Sequence, residues 1–341
     1  MRIAQISTPH IPTPPIAYGG SELVASHITE ELVRRGHQVT LFATPDSQTS
    51  ATLVSFPKVN EASSFDQREL VHVANAFRYA GDFDIIHNHC LSAGPALAQA
   101  SPTPVASTLH YIHHILRFFP DHDYVAVSYS QRRLANNLRI RDVIHNAVDV
   151  NKFTFEQDKD DYLLFLGRFH SNKGAHIAID VASRSGDRLL IAAPSPPPDQ
   201  QDYFDRLIKP RLNGRIEYVG EIRGEIKAKL LAKAKALIFP LAWDEPFGLV
   251  LLEAMASGTP VIATNRGSVS EVVLHGKTGY IVNSVDEMID AIENTGNIIP
   301  SNCRTHVEQN FSIDRMVDKY IALYHSLLVE ERRYRPRGRS A

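Results

Sequence analysis

The sequence predicts an α/β protein of two similar domains, each a parallel sheet wrapped by helices, facing each other across a cleft. Three observations lead there. Short apolar runs bounded by turn residues alternate with longer helix-period segments along the whole chain, the pattern of repeated βαβ units. The alternation comes as two series separated by NAVDVNKFTFEQDKDD, a polar, acid-rich stretch without a clear period, as expected of an inter-domain linker. The 341 residues, at about 150 per domain, suit two domains that each bury a core.

In the first series, residues 3–6, 39–43, 85–87, 105–109 and 125–127 read as strands, with helices starting near Ser21, Asp66, Gly94 and Tyr129. In the second, residues 162–166, 189–193, 216–219, 236–239 and 261–263 read as strands, with helices starting near Gly174, Asp199, Gly224, Phe247 and Val285. The boundary falls near Asn151, so the domains are expected at 1–150 and 151–311. Ligands of such folds bind at the C-terminal ends of the strands. Residues 7–18 carry four prolines in twelve positions and end at Gly19-Gly20, a long irregular crossing of the kind that is usually functional. Residues 194–198 read as an exposed connection stiffened by prolines. Residues 332–341, with Arg332, Arg333, Arg335, Arg337 and Arg339, read as a disordered solvated tail, with a weak anchor for acidic lipid or nucleic acid as the alternative.

Composition narrows the function classes. Apolar residues at 43% and charged ones at 22% are ordinary globular usage. With 36 basic against 38 acidic residues, nothing points to nucleic acid, and an anionic ligand has to be held by local charge. Cys90 and Cys303 are too few for a disulfide framework or a four-thiolate metal site and suit a reducing compartment. The start MRIAQIS has no apolar core behind a basic segment, and no run approaches 18 apolar residues. The expected location is the cytoplasm.

The chemistry concentrates in five stretches. In WDEPFGLVLLEAMASGTPVIAT, residues 243–264, a helix enters through a Pro-Gly turn and is apolar nearly all round except at Glu253. A buried carboxylate needs a partner, and either a structural group or a ligand with adjacent hydroxyls, such as a ribose, would serve. Glu245 lies in the loop just before this helix. The N–H groups of Phe247, Gly248 and Leu249, with the positive end of the helix dipole, make an anion site, while the bland reading of Glu245 is an acid favouring that dipole. In GRFHSNKG, Gly167 to Gly174, Arg168 and Lys173 project from a loop after a strand and suit a diphosphate; taken singly, each is most often a solvated charge. In YGGSEL, Gly19 and Gly20 open a helix where backbone can approach a phosphate, without the GxGxxG spacing of a nicotinamide site. Finally, His87-x-His89-Cys90 and His110 with His113-His114 have metal-like spacing but follow strands, where loop histidines paired to backbone are the ordinary reading.

Together these motifs resemble the retaining glycosyltransferases of family four, the GT-B class with two facing Rossmann-like domains. The resemblance covers nearly the whole length, through YGGSEL, TLH at 108–110, VIHNAVD at 143–149, GRFHSNKG, and the Glu245/Glu253 pair followed by GTPVIAT. It implies that Glu253 binds the nucleotide ribose, Glu245 contacts the donor sugar, and Arg168 and Lys173 hold the diphosphate. It also implies that Gly19 and Gly20 lie beside the phosphates and His110 near the transferred sugar. Ala147 stands where the family usually has a glycine, which touches local turn geometry. The family's last helix crosses back to the first domain, and residues 312–331, with Met316, Tyr320, Leu323 and Leu327 on one face, suit that role.

The expected activity is transfer of a hexose, glucose, from a UDP-linked donor to an unidentified acceptor (a sugar, a lipid or a small aglycone). Arg168, Lys173 and the helix N-terminus offer charge stabilisation without a metal, and no cofactor is called for. Asp82/Asp84 and Asp121/Asp123 form Asp-x-Asp triplets, which a chain rich in aspartate contains by chance. No carboxylate in these motifs is placed as a covalent nucleophile, so retention is expected by front-face departure and attack. Acceptor choice is expected around residues 7–18 and 111–120, where HYIHHILRFFP either packs or faces an apolar acceptor. The alternatives are a nucleotide-sugar epimerase or hydrolase of the same architecture and a non-catalytic sugar-binding protein.

Overall fold

Parallel strands covered by helices on both faces read as short continuous apolar runs, and LLFL, LLIA, ALIF and VIAT in the second half of the chain are of that kind. The computed structural model describes residues 1–57 and 64–334. It divides into two units, one of Met1–Asn146 together with the described residues from Ile313 to Tyr334, the other of Ala147–Ser312. The division falls a few residues before Asn151, since Val148 is already tied to Phe311 by a backbone bond of 3.2 Å.

The first unit holds strands β1 (Arg2–Ile6), β2 (Gln38–Phe42), β3 (Thr52–Val54), β4 (Ile85–Asn88), β5 (Val105–Leu109), β6 (Asp123–Ala126) and β7 (Ile140–Val143). Its sheet runs β3-β2-β1-β4-β5-β6-β7, with every pair parallel. Helices α1 (Gly20–Arg34), α2 (Phe65–Phe77), α3 (Gly94–Ala98) and α4 (Tyr129–Leu134) alternate with these strands. The second unit holds β8 (Leu163–Leu166), β9 (Leu189–Ala192), β10 (Ile216–Gly220), β11 (Ala236–Phe239), β12 (Val261–Thr264) and β13 (Gly279–Val282). Its sheet, also all parallel, runs β10-β9-β8-β11-β12-β13. Its helices are α5 (Ala175–Ser185), α6 (Gln201–Tyr203), α7 (Gly224–Lys233), α8 (Leu249–Ala256), α9 (Val269–Val272), α10 (Val285–Glu293) and α11 (Pro300–Asn310). Both are doubly wound sheets, and in each the strand order reverses once, between β1 and β4 and between β8 and β11. Such a switch point is where loops part and leave room for a ligand.

Each unit buries its own core. In the second, Leu163, Phe165, Ile191, Ile238 and Ile262 from the strands meet Ala178, Ile179 and Ala182 of α5 and Met288 and Ile292 of α10. In the first, Ile6, Phe42 and Ile86 meet Val73 and Ala76 of α2. The last helix, α12 (Ile313–Tyr334), belongs to the first unit. It buries Met316, Val317, Tyr320, Leu323, Tyr324 and Leu327 and is pinned to the end of α1 by Arg34 and Arg35 against Asp314 and Asp318. It carries on through Arg332 and Arg333, three residues further than the sequence suggested; residues 335–341 of the expected tail lie outside the described residues.

Three further differences have physical causes. Strands β3, β7 and β13 have no sequence counterpart; all three are edge strands of three or four residues, half-covered and so without a clean apolar run. The helix expected near Asp199 is instead a broken spiral, with 3₁₀ turns at Pro198–Gln200 and Lys209–Arg211 around α6 and a wide π turn at Phe204–Ile208; Pro210 cannot donate into a regular helix. The segment at 111–120 splits between core and surface, with Leu116 1% exposed but Ile112 44% and Phe118 62% exposed. Among the described residues no helix is long and apolar enough to cross a membrane.

Candidate active site

In the second unit, the two loops at the switch point are built to touch. The loop after β8 ends at Gly174, whose φ of +76° is left-handed and where a Cβ would sit 2.0 Å from the carbonyl oxygen of Pro240, in the loop after β11. Only glycine fits both conditions. Beside this contact the Ala242 N–H donates to the Asn172 carbonyl at 2.9 Å. The adjoining side chains then meet: Lys173 Nζ donates to Glu245 Oε2 at 2.5 Å, both side chains largely covered, and the ammonium lies 5.3 Å from the centroid of the Trp243 ring. An ammonium near an indole face gains a further cation–π attraction.

The Glu245 loop is held from behind as well. The Ser268 N–H donates to the Glu245 carbonyl at 3.1 Å, Ser268 Oγ donates to the Phe247 carbonyl at 2.6 Å, and the Gly267 N–H donates to Asp244 Oδ1 at 3.1 Å. Phe247 is buried, and Gly248, at φ +81°, is the N-cap of α8. The first turn of α8 begins at Leu249, so its N–H groups follow directly on the loop that carries Glu245. Arg168, exposed, stands two residues past the end of β8.

Glu253 lies mid-helix in α8, 5% exposed. Of the two partners open to it from sequence, the structure supplies a structural one: Lys227 of α7 donates from Nζ to Oε1 at 2.7 Å. Its Oε2 bonds to nothing among the described residues. Losing Lys227 would leave the buried Glu253 carboxylate without its partner, which typically costs about 3–5 kcal/mol. Lys227 escaped the sequence reading because GEIKAKLLAK offers several equivalent lysines on a surface helix.

In the first unit, Gly19 precedes α1 and exposed Gly20 opens it. A Cβ on Gly19 would lie 2.5 Å from Ile11, 2.7 Å from Pro15 and 3.0 Å from Glu22 Oε2. Glycine is thus already required by the proline-rich loop folding over the helix start. Glu22 is buried and accepts from Thr8 Oγ1, and burial pushes its carboxyl pKa up.

His110 follows β5 and is one end of a run of polar side chains. Its Nε2 lies 2.8 Å from Nδ1 of His89, whose Nε2 lies 3.1 Å from Gln5 Oε1. The Gln5 amide donates to the Tyr324 hydroxyl at 3.3 Å, which lies 2.7 Å from His87 Nδ1. His87 Nε2 then lies 2.7 Å from Thr108 Oγ1, itself 2.9 Å from the Tyr320 hydroxyl. Burial pushes His87 down to about 3 and His110 to about 4, and His89 well below its usual value, so all three rings are neutral at ordinary pH. His87 and His89 are thereby committed to hydrogen bonds. Asp84 pairs with Arg2 and Asp123 with Arg139, and among the described residues no three acids, histidines or cysteines are grouped to hold a metal ion. Of this run the sequence singled out His110, with His87, His89 and Tyr320 named only for spacing or packing. Gln5 and Tyr324 were missed, although a glutamine inside a β1 apolar run is a visible irregularity.

Comparison with known proteins bears on the family and the fold. Residues 160–296 match the family described as Glycosyl transferases group 1, and residues 18–152 match Glycosyltransferase Family 4. The O-antigen chain mannosyltransferase C of Escherichia coli is 25% identical over 92% of this chain and 96% of its own. Among solved structures, AviGT4, a glycosyltransferase involved in avilamycin A biosynthesis, superposes with a TM-score of 0.75 at 25% identity, over 96% of this chain and 98% of that one. HepE of Anabaena, solved in complex with UDP and glucose, superposes with a TM-score of 0.75 at 21% identity, over 96% of this chain and all of its own.

Proposed function

The chain belongs to the family 4-like glycosyltransferases of the GT-B class, and from that premise we propose that it moves glucose from UDP-glucose to an acceptor hydroxyl, retaining the anomeric configuration and needing no divalent metal. The observation that carries this reading is the Lys173–Glu245 pair at the switch point of the second unit, 2.5 Å apart at the mouth of α8. A diphosphate brought there meets Lys173, Arg168 and the first-turn N–H groups of α8. These groups counter the charge that develops on the leaving phosphate as the glycosidic bond breaks. Displaced from Lys173 by the phosphate, the Glu245 carboxylate accepts from sugar hydroxyls. Glu253, oriented by Lys227, offers Oε2 to the paired hydroxyls of the ribose. The family resemblance assigns His110 to the transferred sugar.

With no side-chain nucleophile assigned, leaving and attack occur on one face of the sugar, and the departing phosphate takes the acceptor proton. The presence of UDP and glucose in the HepE structure supports the uridine and glucose assignments. Calorimetric titration of the chelator-treated protein with UDP, GDP and ADP, then with the sugar conjugates of the nucleotide that binds, is the test. Micromolar binding of UDP alone is expected. Selective binding of GDP or ADP overturns the donor assignment, binding only after Mg²⁺ is restored overturns metal independence, and a trapped glycosyl adduct on a side chain overturns front-face retention.

A further inference from the structure

The hydrogen-bonded run in the first unit contains one member whose two ends are not interchangeable. A carboxamide oxygen only accepts and its nitrogen only donates. Gln5 turns its oxygen to His89 Nε2, 3.1 Å away, and its nitrogen to the Tyr324 hydroxyl, 3.3 Å away. His89 therefore carries its proton on Nε2, and as a neutral ring it offers Nδ1 as an acceptor. Nε2 of His110, 2.8 Å from that atom, must then be the N–H that donates, and Nδ1 of His110 has no proton. In the other direction the Tyr324 hydroxyl accepts from Gln5 and donates to His87 Nδ1, and His87 Nε2–H donates to Thr108 Oγ1.

We propose that Gln5, oriented by Tyr324 and acting through His89, holds His110 as the neutral tautomer with Nε2 protonated and Nδ1 bare, so that His110 meets the donor sugar as a hydrogen-bond acceptor. His89, Gln5 and Tyr324 are positioning residues in this scheme. The use made of the bare nitrogen rests on the reading that His110 lies beside the transferred sugar; the tautomer does not. Nδ1 of His110 bonds to nothing among the described residues, which leaves it to a ligand. A bare imidazole nitrogen accepts a hydrogen bond from a hydroxyl and is repelled by a phosphate oxygen, so the run selects for the hydroxylated part of the donor. Burial keeps the three rings uncharged, and the second ring nitrogen of a histidine is set by the bond the first one makes. Turning the Gln5 amide end for end would reverse every donor in the run, so one tautomer reports the direction of the whole.

The test uses the full chain with ring-15N histidine, reading protonation at each nitrogen from two-bond 1H–15N correlations and assigning His110 by the signals lost in His110→Gln. The expected result is a protonated Nε2 and an unprotonated Nδ1. A wild-type His110 protonated on Nδ1, or a mixture of both forms, overturns the proposal without any variant having to fold. In Tyr324→Phe the amide loses the hydroxyl that orients it, and His110 is expected to show both tautomers, with kcat/KM for UDP-glucose about tenfold lower (about 1.4 kcal/mol) and the Kd for UDP unchanged. Gln5→Glu, which still accepts from His89, is expected to keep the wild-type tautomer. An unchanged tautomer and rate in Tyr324→Phe overturns the role given to Tyr324. If His110→Ala turns over UDP-glucose at the wild-type rate while the tautomer is as stated, the placement of His110 at the sugar is overturned and the tautomer stands.

Discussion

The two units wind their strands in the same order but furnish their switch points in opposite ways. In the second unit the strands are apolar and the charges sit on the loops that leave them: LLFL leads to Arg168 and Lys173, ALIF to Glu245. In the first unit the polar groups lie inside the strands themselves. Gln5, His87, Asn88, Ser107 and Thr108 are all fully buried, in β1, β4 and β5. A charge on a loop at a strand end can be paired with another loop charge, as Lys173 is with Glu245, and can exchange that partner for another. A polar group within a covered strand has to be neutral and has to find its partners in the protein. The second switch point is thus suited to meeting a charged ligand, and the first to presenting a neutral group in one fixed orientation.

The widest separation between the two units should appear in acid. His72, His87 and His122 of the first unit are buried and held at about 4, 3 and 4, each below the ordinary value of 6.5, chiefly by burial. The unfolded chain therefore binds protons between pH 6.5 and 4 that the folded chain does not. Stability is fully present above that window and falls as pH drops through it, by about 1.4 kcal/mol per pH unit for each histidine and about 4 for the three together. Hydrogen exchange at pH 7 and pH 5 should show the first unit losing protection ahead of the second. Equal loss in both would erase the distinction between the switch points.

Next in size is the charged pair. Lys173→Ala removes one stabilising donor from the proposed leaving phosphate and is expected to lower kcat/KM about 100-fold, or about 2.7 kcal/mol, as measured by release of nucleoside diphosphate. A loss of less than threefold would mean that the loop charges of the second unit are structural. Glu253→Ala should weaken UDP binding about tenfold, about 1.4 kcal/mol, in the same calorimeter, whereas the same change in affinity for free phosphate would argue against a ribose contact. The smallest effect belongs to Arg2→Ala at the far end of β1 from Gln5. Its pair with Asp84 is half-exposed, and about 0.5 kcal/mol of stability is expected to be lost, read by urea denaturation, with turnover unchanged.

How far these differences could be read from sequence follows the same division. Loop charges after apolar strands announce themselves, since Arg168 and Lys173 follow an uninterrupted LLFL and Glu245 precedes an apolar helix; their residue types and positions were legible, but the contact between Lys173 and Glu245 was not. What escaped was partnership over long separations. Nothing local ties Lys227 to Glu253, Gln5 to Tyr324 or Asn172 to Ala242, because each pairing is made by tertiary packing: of α7 beside α8, of α12 on the first unit, and of the loops after β8 and β11. The central strands were found within a residue or two because burial on both faces makes them continuous. The edge strands β3, β7 and β13 were lost because they are buried on one side only. Gly19 shows a different limit: its need was legible, but the cause is Ile11 and Pro15 packing against it, which a ligand-centred reading of paired glycines does not suggest.

Helix α12 gives the first unit a peculiar relation to its own synthesis. The second unit is one unbroken stretch of chain, but the first needs residues from both sides of it. Until the chain has been made past Tyr324, the glutamine in its first strand and the imidazole in its fourth have no phenol to bond, and the apolar face awaiting Val317 and Leu327 is uncovered. A nascent chain will therefore complete the sequence of its later unit before that of its earlier one, and a chain ending near residue 312 has all of the second unit but lacks the helix that closes the first.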